Sequence, residues 1–441
     1  MNNNVGKTIN YIKRNGLVKG YYAVKERLEN RKETYEYVPI SHEERLNQVA
    51  ASLQFKTGFS ILVPAYETRP QYLKSLIDSV KAQTYNNWEL IIADASKTNI
   101  VANVVAEYAD PRIIYQKLER NLGISGNTNE GLNKCSKEYT GLLDHDDILA
   151  PDALYEMVSA IEKSATEGIK PKLIYSDEDK TDSENTRYFD PNIKGKFNLD
   201  LIMSNNYICH FLVADTNLLK ETRFRSEYDG AQDHDVILRM VSALRADYLK
   251  EYERYIYHVP KVLYHWRCHE ESTAANPQSK LYAYEAGKRA VSSFLKNEGI
   301  KAIVSDLPHL GFFYVTYKPN IFKNRKNVAA VGGIVINKKN IVVDGVYDEN
   351  LNLKFEGLNK NYSGGHLHTM ACQQEVPYVN PEYMRARSKI AKRYEEFKAS
   401  HAVITDKNSL MREFCDMIKA DGYVFVYDPR LVIREGTNKR D

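Results

Sequence analysis

Tyr139-Thr140-Gly141-Leu142-Leu143-Asp144-His145-Asp146-Asp147 is a short apolar run that ends at once in three carboxylates. Apolar runs of this length, bounded by polar residues, mark strands buried on both faces, so the carboxylates fall at a strand end. Like charges this close raise one another's pKa and need a cation or a helix N-terminus to neutralise them. A few hard oxygen ligands with open coordination positions suit Mg2+ or Mn2+ carrying phosphates better than a closed structural site. The plainer use of Asp146 and Asp147 is to cap the helix that begins near Pro151.

The flanking sequence repeats the pattern. Phe59 to Val63 is an apolar run ending at Pro64, followed by one helix face of Tyr72, Leu73, Leu76, Ile77 and Val80. Trp88 to Ala93 is a second run, ending at Asp94. A helix around Ile100 to Tyr108, a strand at Ile113 to Gln116 and a helix from Gly123 to Cys135 follow. This alternation predicts the α/β class, with a mostly parallel sheet covered by helices on both faces. Such sheets bind ligands at the carboxyl ends of their strands. Pro64-Ala65-Tyr66-Glu67, Asp94-Ala95-Ser96 and Asp144 to Asp147 should therefore converge on one crevice.

A chain of 441 residues, 43% hydrophobic, suffices for one large domain with a smaller one, or for two domains. The expected division is an N-terminal segment and linker over 1–56, an α/β domain over 57–300 and an α+β region over 301–441. A net charge of +3 argues against a dedicated nucleic-acid binder. The charge is uneven, because residues 1–32 carry eight Lys and Arg against Glu26 and Glu29. Ile9 and Ile12, then Leu17, Tyr21, Val24 and Leu28, recur there at helical steps, with Asn15-Gly16 as a break. Such a basic amphipathic segment either lies on an anionic membrane or packs its apolar stripe on the main domain. Residues 33–56 are polar and charged, a helical linker at most. The cysteines (Cys135, Cys209, Cys268, Cys372 and Cys415) are scattered and lack C-x-x-C spacing, which speaks against a disulfide framework and for a reducing compartment. No run approaches the roughly 20 apolar residues of a membrane span, and the N-terminus lacks a signal-peptide core. The expected location is the cytoplasm, with peripheral contact at the inner face of the cell membrane as the use open to the basic segment.

In order along the chain, Ser60 to Glu67, Trp88 to Ser96, Asn121-Leu122-Gly123-Ile124-Ser125-Gly126-Asn127-Thr128-Asn129 and Leu143 to Asp147 resemble the GT-A fold glycosyltransferases of family 2. The match to this Rossmann-like fold runs over roughly residues 58–270. The resemblance implies an inverting, metal-dependent hexosyltransferase. It assigns Pro64, Tyr66, Glu67, Asp94, Asn121, Gly123, Asn127 and Asp144 to the nucleotide sugar, although Glu67 stands where Asn is commoner. It assigns Asp146 to Mn2+ or Mg2+, with Asp144 as a further metal or ribose contact. Tyr175 to Lys180, with Asp177 and Asp179, and Asn205 to Phe211, with Asn206 and His210, are implied on the acceptor side.

Gly230 to Asp235 resembles the motif that supplies the catalytic base, with Gln232-Asp233 where Glu-Asp is usual, so Asp233 is the implied base. Read by itself, Asp233 is a helix N-cap ahead of Val236, Ile237, Met240 and Val241. In Tyr264-His265-Trp266-Arg267, after the strand-like run Tyr255 to Leu263, His265 is implied as the third metal ligand and Arg267 as a diphosphate contact. Cys268 and His269 have no second Cys/His pair at zinc spacing.

The Gln-x-x-Arg-Trp signature of processive synthases is absent, which points to transfer of one or a few sugars per encounter. The pattern looks most like bacterial cell-surface polysaccharide rhamnosyltransferases, which implies dTDP-rhamnose as donor and a growing, lipid-linked glycan as acceptor. Galactosyl or glucosyl transfer from a UDP-sugar is the alternative, since short motifs do not encode hydroxyl stereochemistry. A catalytically inactive nucleotide-sugar-binding scaffold is the alternative of another class, and the complete carboxylate set argues against it. A nucleotidyltransferase is disfavoured because no Gly-rich phosphate loop with a basic residue follows the first strand. In the C-terminal region, Val328 to Val343 reads as two strands around Asn337-Lys338-Lys339-Asn340. Gly422 to Ile433 echoes Tyr255 to Tyr264, and aligning Pro429 with Pro260 puts Arg434 where His265 falls. The echo is either a degenerate second glycosyltransferase-like half, used for packing, homo-oligomer formation or acceptor binding, or a chance similarity of two strands.

Overall fold

The computed structural model describes residues 2–29, 35–268, 281–365, 367–401 and 406–436. His269 and two of the N-terminal cations, Arg31 and Lys32, lie outside them. The chain begins with helices α1 (Asn2–Asn15) and α2 (Leu17–Glu29), parted at Gly16 with φ 84°, and α3 (His42–Ser52). Strands and helices then alternate through β1 (Phe59–Ala65), α4 (Pro70–Lys81), β2 (Trp88–Asp94), α5 (Ile100–Val105), β3 (Ile113–Lys117), α6 (Gly123–Leu132) and β4 (Tyr139–Leu142). Next come β5 (Ile148–Leu149), α7 (Ala153–Thr166), β6 (Leu173–Thr181), β7 (Tyr188–Asn192), α8 (Leu199–Ser204), β8 (Leu212–Asp215), α9 (Thr216–Thr222), α10 (Gln232–Tyr248) and β9 (Ile256–Arg267).

Two compact units result. The larger comprises Thr34–Phe197 and Asn206–Phe294, and the smaller Met1–Glu33, Asn198–Asn205 and Leu295–Asp441. The large unit is built on one sheet of strand order β3-β2-β1-β4-β8-β6-β9-β5, with β7 added on β6. The first four strands are parallel, and β9 runs parallel to β6. β8 is antiparallel to both β4 and β6, and β5 to β9.

Burial explains the continuous apolar runs. Every residue of β2 and nearly all of β1 are inaccessible, as a sheet covered on both faces requires. Phe59, Ile61 and Val63 of β1 join Leu73, Leu76, Ile77 and Val80 of α4 in the main core. The other face of β1 meets α6, where a Cβ added to Gly131 would fall 2.5 Å from Leu62 Cδ1 and 3.0 Å from Ala93 Cβ. The β9 strand runs on through His265, Trp266 and Arg267, beyond the Leu263 limit expected from the sequence.

Residues 35–56 are more than a linker. Ser41 caps α3 by accepting from the Glu44 N–H, Arg45 Nη1 donates to the Ala82 carbonyl at 2.9 Å, and Thr84 Oγ1 donates to Gln48 Oε1 at 2.8 Å. These few polar anchors hold a helix whose sequence shows little apolar periodicity.

In the small unit, Val328–Ile336 forms a hairpin with Val342–Asp344 and pairs in parallel with Val424–Arg434. That parallel register is interrupted between Tyr427 and Val432, and the β6/β9 register between Val259 and Val262. Each interruption contains a proline, Pro429 and Pro260, so the echo between the two sequences extends to how each strand pairs. The α8 segment belongs to this unit because Asp200 takes Arg325 and the Tyr317 hydroxyl (3.1 Å) in a buried cluster completed by Glu375, 2.6 Å from Arg325.

Gly131→Val forces a branched side chain against Leu62 and Ala93, and overpacking of this kind costs about 1–3 kcal/mol. Both tryptophans, Trp88 and Trp266, lie in the large unit, so their fluorescence in urea reports that unit. The variant's midpoint should fall accordingly, and an unchanged midpoint would contradict the close approach of α6 to β1 and β2.

Candidate functional site

The carboxyl ends of β1, β2 and β4 form one edge of the large unit. Pro64 and Ala65 pair in register with Ala93 and Asp94. Glu67 follows with φ 46°, a backbone region that a non-glycine residue holds only when its surroundings fix it. Its N–H donates to Ser96 Oγ at 2.8 Å. Its carboxylate accepts from Lys97 N (2.7 Å), Thr98 N (3.1 Å) and Thr98 Oγ1 (2.6 Å). The Thr98 bonds hold the Glu67 carboxyl below its usual range. Glu67 thus latches the loop after β1 to the loop after β2.

Asp94 is inaccessible and accepts from Ser96 N (2.8 Å), the Tyr115 hydroxyl (2.7 Å) and Lys117 Nζ (3.0 Å). Burial pushes its pKa up, but these donors outweigh burial and leave it lowered. Asp94 is therefore a fixed anion, and Tyr115 and Lys117 on β3 are its partners. Tyr66, 39% exposed, leaves an aromatic face open beside them.

Asn121, Gly123 and Asn127 shape the turn into α6. Asn121 Oδ1 accepts from Gly123 N (3.0 Å) and Asn127 Nδ2 (2.9 Å), and Asn127 Oδ1 accepts from Leu122 N at 2.9 Å. Gly123 has φ 77°, and a Cβ there would lie 2.5 Å from Asp229 Oδ2. Asp229 in turn accepts from Ser125 N at 3.2 Å, in the first turn of α6.

The three carboxylates after β4 divide. Asp147 is inaccessible; it accepts from the Tyr264 hydroxyl at 2.5 Å and from Arg267 N at 2.7 Å. Burial, then Asp146 and Asp144, push its pKa well up. Neither carboxyl caps α7, whose cap position is Asp152. Asp144 is exposed on the loop, and its N–H donates back to the Tyr264 hydroxyl at 3.3 Å. His145 Nδ1 lies 3.1 Å from Thr68 Oγ1, which ties this loop to the one after β1.

Arg267 is 1% exposed, lies 4.7 Å from the Tyr72 ring centroid, and donates to the carbonyls of Asp146 (2.5 Å) and Ser183 (2.7 Å). Its Nη2 is buried and without a hydrogen bond. Arg267 therefore braces the acidic loop and keeps one donor uncommitted.

The expected set Asp144, Asp146 and His265 is not assembled. Among the described residues no three His, Cys, Asp or Glu side chains are grouped to hold an ion. His265 is 2% exposed, with Nδ1 2.6 Å from Asp179 Oδ1 and its ring between Tyr37 and Tyr188, at 4.4 and 4.6 Å. Asp144 and Asp146 are hard oxygen donors of the kind that suits Mg2+ or Mn2+ rather than a softer metal.

Asp177 and Asp179, expected to face an acceptor, are buried in β6 and paired. Asp177 accepts from Lys194 N and lies against His258 Nε2, both at 2.8 Å, and Asp179 accepts from the Tyr35 hydroxyl at 2.7 Å. In sequence they read as a charged cluster ending an apolar run, whereas their partners come from distant segments. His210 is held by its backbone. Its N–H donates to Glu178, its carbonyl accepts from the wholly buried Lys194, and Lys194 Nζ also donates to the Ile208 carbonyl at 2.9 Å. The His210 ring stacks on Tyr264, 4.8 Å between centroids. Asn206 Oδ1 is buried with no hydrogen-bond partner. Lys194 escaped the sequence reading because no motif surrounds it, and Glu178 stood in the quoted Tyr175 to Lys180 segment between two more conspicuous aspartates. Tyr264 stood in a quoted segment but beside a more conspicuous histidine.

Asp233 is the second residue of α10 rather than its cap. It is partly buried, and its pKa rises to about 6, through burial first and the Asp144 charge second, with His210 acting the other way. Two nearby carboxylates are structural by comparison. Asp235 is clamped by Arg225 and by Arg239, the latter at 2.8 Å, and Asp177 by the partners above.

Residues 60–220 match the family described as Glycosyl transferase family 2. The uncharacterized protein y4gI of Sinorhizobium fredii is 38% identical over 274 residues, 61% of this chain and 29% of that protein. The O-antigen biosynthesis protein RfbC of Myxococcus xanthus is 30% identical over 264 residues, 58% of this chain and 20% of that protein. The chain thus spans less than a third of either relative. The crystal structure of S. aureus TarS 1-349 in complex with UDP-GlcNAc is 17% identical, with a TM-score of 0.41 over 55% of this chain and 67% of that one.

Tyr264→Phe removes the hydroxyl that links Asp147 to the Asp144 backbone. A buried carboxylate left short of a donor costs about 1–3 kcal/mol, so the thermal midpoint should drop. Unchanged stability would show that Tyr264 does not hold Asp147.

Proposed function

Residues 60–220 match glycosyl transferase family 2, and from that premise we propose that the chain is a GT-A fold transferase that moves a sugar from a nucleotide donor onto a growing, lipid-linked surface polysaccharide, with inversion. The observation that carries the reading is Asp233. It is a partly buried carboxylate with a raised pKa, close enough to Asp144 to feel its charge, while Asp235 is clamped by two arginines and Asp177 lies against His258 Nε2. Asp94, Tyr66 and the turn of Asn121, Gly123 and Asn127 would take the nucleoside, and Arg267 Nη2 the diphosphate. Mn2+ or Mg2+ held by Asp144 and Asp146 would supply Lewis-acid stabilisation of the departing diphosphate.

Inversion in one step needs an acceptor hydroxyl that loses its proton as the new bond forms. Asp233 removes that proton, and a base with a pKa of about 6 is better matched to neutral pH than an ordinary carboxylate. The Asn206 amide oxygen and the His210 ring would orient the acceptor. The donor read from the sequence is dTDP-rhamnose, with UDP-galactose or UDP-glucose as the alternative. The O-antigen biosynthesis relative supports a role in polysaccharide assembly. A place at the inner membrane face agrees with a lipid-linked acceptor. The small unit serves packing, self-association or acceptor binding.

Incubating the pure protein with a panel of nucleotide sugars and Mn2+ should reveal one donor that is slowly hydrolysed; hydrolysis of none would sink the transferase reading. Asp233→Asn should lose about 10²- to 10⁴-fold in transfer rate while still binding donor. Transfer within about threefold of wild type would remove Asp233 from the mechanism.

The same carboxyl makes a stability prediction. Its pKa goes from an ordinary 3.8 to about 6 on folding, so the folded state resists ionising it. No penalty exists below pH 3.8, where both states are protonated. The penalty grows as pH rises to about 6 and is complete above it. Metal-free Asp233→Asn should therefore be more stable than wild type at pH 8, by no more than about 3 kcal/mol, and the gap should close on acidification. A gap independent of pH would contradict the raised pKa.

A further inference from the structure

The N-terminal helices belong to the small unit, and α2 has two unlike faces. On one, Glu26 is 6% exposed and its carboxylate accepts from Ser363 N (2.9 Å), Ser363 Oγ (3.0 Å), Gly364 N (2.8 Å) and Gly365 N (2.8 Å). Glu29 accepts from the Tyr362 hydroxyl at 2.7 Å. This face is docked through polar contacts, with the two glutamates of α2 turned to it. About 120° round the helix from Glu26, Gly20 packs against Ile12 of α1 so closely that an added Cβ would lie 2.3 Å from Ile12 Cγ1.

The other face is bare. Leu17, Tyr21, Val24 and Leu28, at steps of four, three and four, form one helical stripe and are 78%, 62%, 38% and 56% exposed. Val18 beside them is 71% exposed. By helical geometry, at about 100° per residue, Lys25 and Arg27 flank the stripe on opposite sides and Glu26 lies roughly diametrically across from it. Lys13, Arg14 and Lys19 are exposed nearby. Lys25 lies 3.9 Å from Glu29, so with Glu26 buried the cationic excess around the stripe comes from Arg27, Lys13, Arg14 and Lys19.

We propose that α2 is a two-faced adaptor: Glu26 docks it on the small unit, and the stripe of Leu17, Tyr21, Val24 and Leu28 inserts at the surface of an anionic phospholipid membrane, with the flanking Lys and Arg on the headgroups. An apolar stripe edged by cations is the complement of such a surface. A second copy of the chain fits less well, because pairing the stripes would bring cations against cations. The inference specifies the membrane contact included in the proposed function, but its test does not depend on sugar transfer.

The test is flotation of the full-length protein with phosphatidylcholine vesicles, with and without about 30% phosphatidylserine. Wild type should float with the anionic vesicles only, and raising salt from about 0.1 to about 0.5 M should release most of it. The triple variant Leu17→Ser, Tyr21→Ser, Leu28→Ser removes exposed side chains and leaves the hydrogen bonds of Glu26 and Glu29 in place, so circular dichroism should be unchanged. Its bound fraction should fall at least about tenfold. Equal flotation of the variant, equal flotation on neutral vesicles or no flotation of wild type overturns the proposal. A wild-type dimer in light scattering that the variant loses, without flotation, makes a second copy the occupant. Donor hydrolysis assayed on both proteins separates the failures, since its absence strikes the transferase reading alone and leaves the flotation result standing.

Discussion

The hydroxyl of Tyr264 donates to the buried Asp147 carboxylate and accepts from the Asp144 N–H, and the acidic edge of the sheet depends on this one junction. Three carboxylates cannot share a strand end without relief. Here one of them is drawn inward, where Tyr264 and the Arg267 N–H partner it, and its neighbours stay on the loop. The same tyrosine ring carries His210. Strand β9 thereby sets the acidic loop and the segment after α8 against one another, while Arg267 closes the loop from behind through the Asp146 carbonyl.

A second theme is how the large unit leaves one carboxylate, Asp233, differently placed from its paired neighbours. Asp177, Asp179 and Asp235 are each buried with a His, Tyr or Arg partner, and removing one member of such a pair leaves a costly uncompensated charge. Asp233 receives the weak Gln232 amide contact at 3.3 Å, and burial with the Asp144 field raises its pKa. Such a raised pKa costs stability above it, and costs of this kind are commonly found at functional sites.

The small unit follows the same logic with a different outcome. Its N-terminal helices could have buried an apolar stripe against the body of the unit, but they dock through Glu26 on a turn of backbone N–H groups and leave the stripe outside. Membrane binding and packing on the fold, which exclude each other for a one-faced helix, become compatible when opposite faces serve them. Among the described residues no helix is long and apolar enough to cross a membrane, so any lipid contact by these helices is peripheral.

Order and local pattern in the sequence determined the α/β class, the succession of β1 to β4, the break at Gly16 and the meeting of Glu67, Asp94 and Asp144 at one sheet edge. These follow from apolar periodicity and from the rule that parallel strands end together, both local or topological properties. The division of labour among like residues was decided only by the tertiary structure. Asp147 and Asp144 are three positions apart and look alike in sequence, as do Asp233 and Asp235, and His265 looked like a metal ligand. Their roles turn on partners supplied from far along the chain: Tyr264 for Asp147, Arg225 for Asp235, and Asp179 with Tyr37 for His265. A carboxylate's chemistry is set by burial and by the donors around it, and those exist only once the strands have been brought side by side.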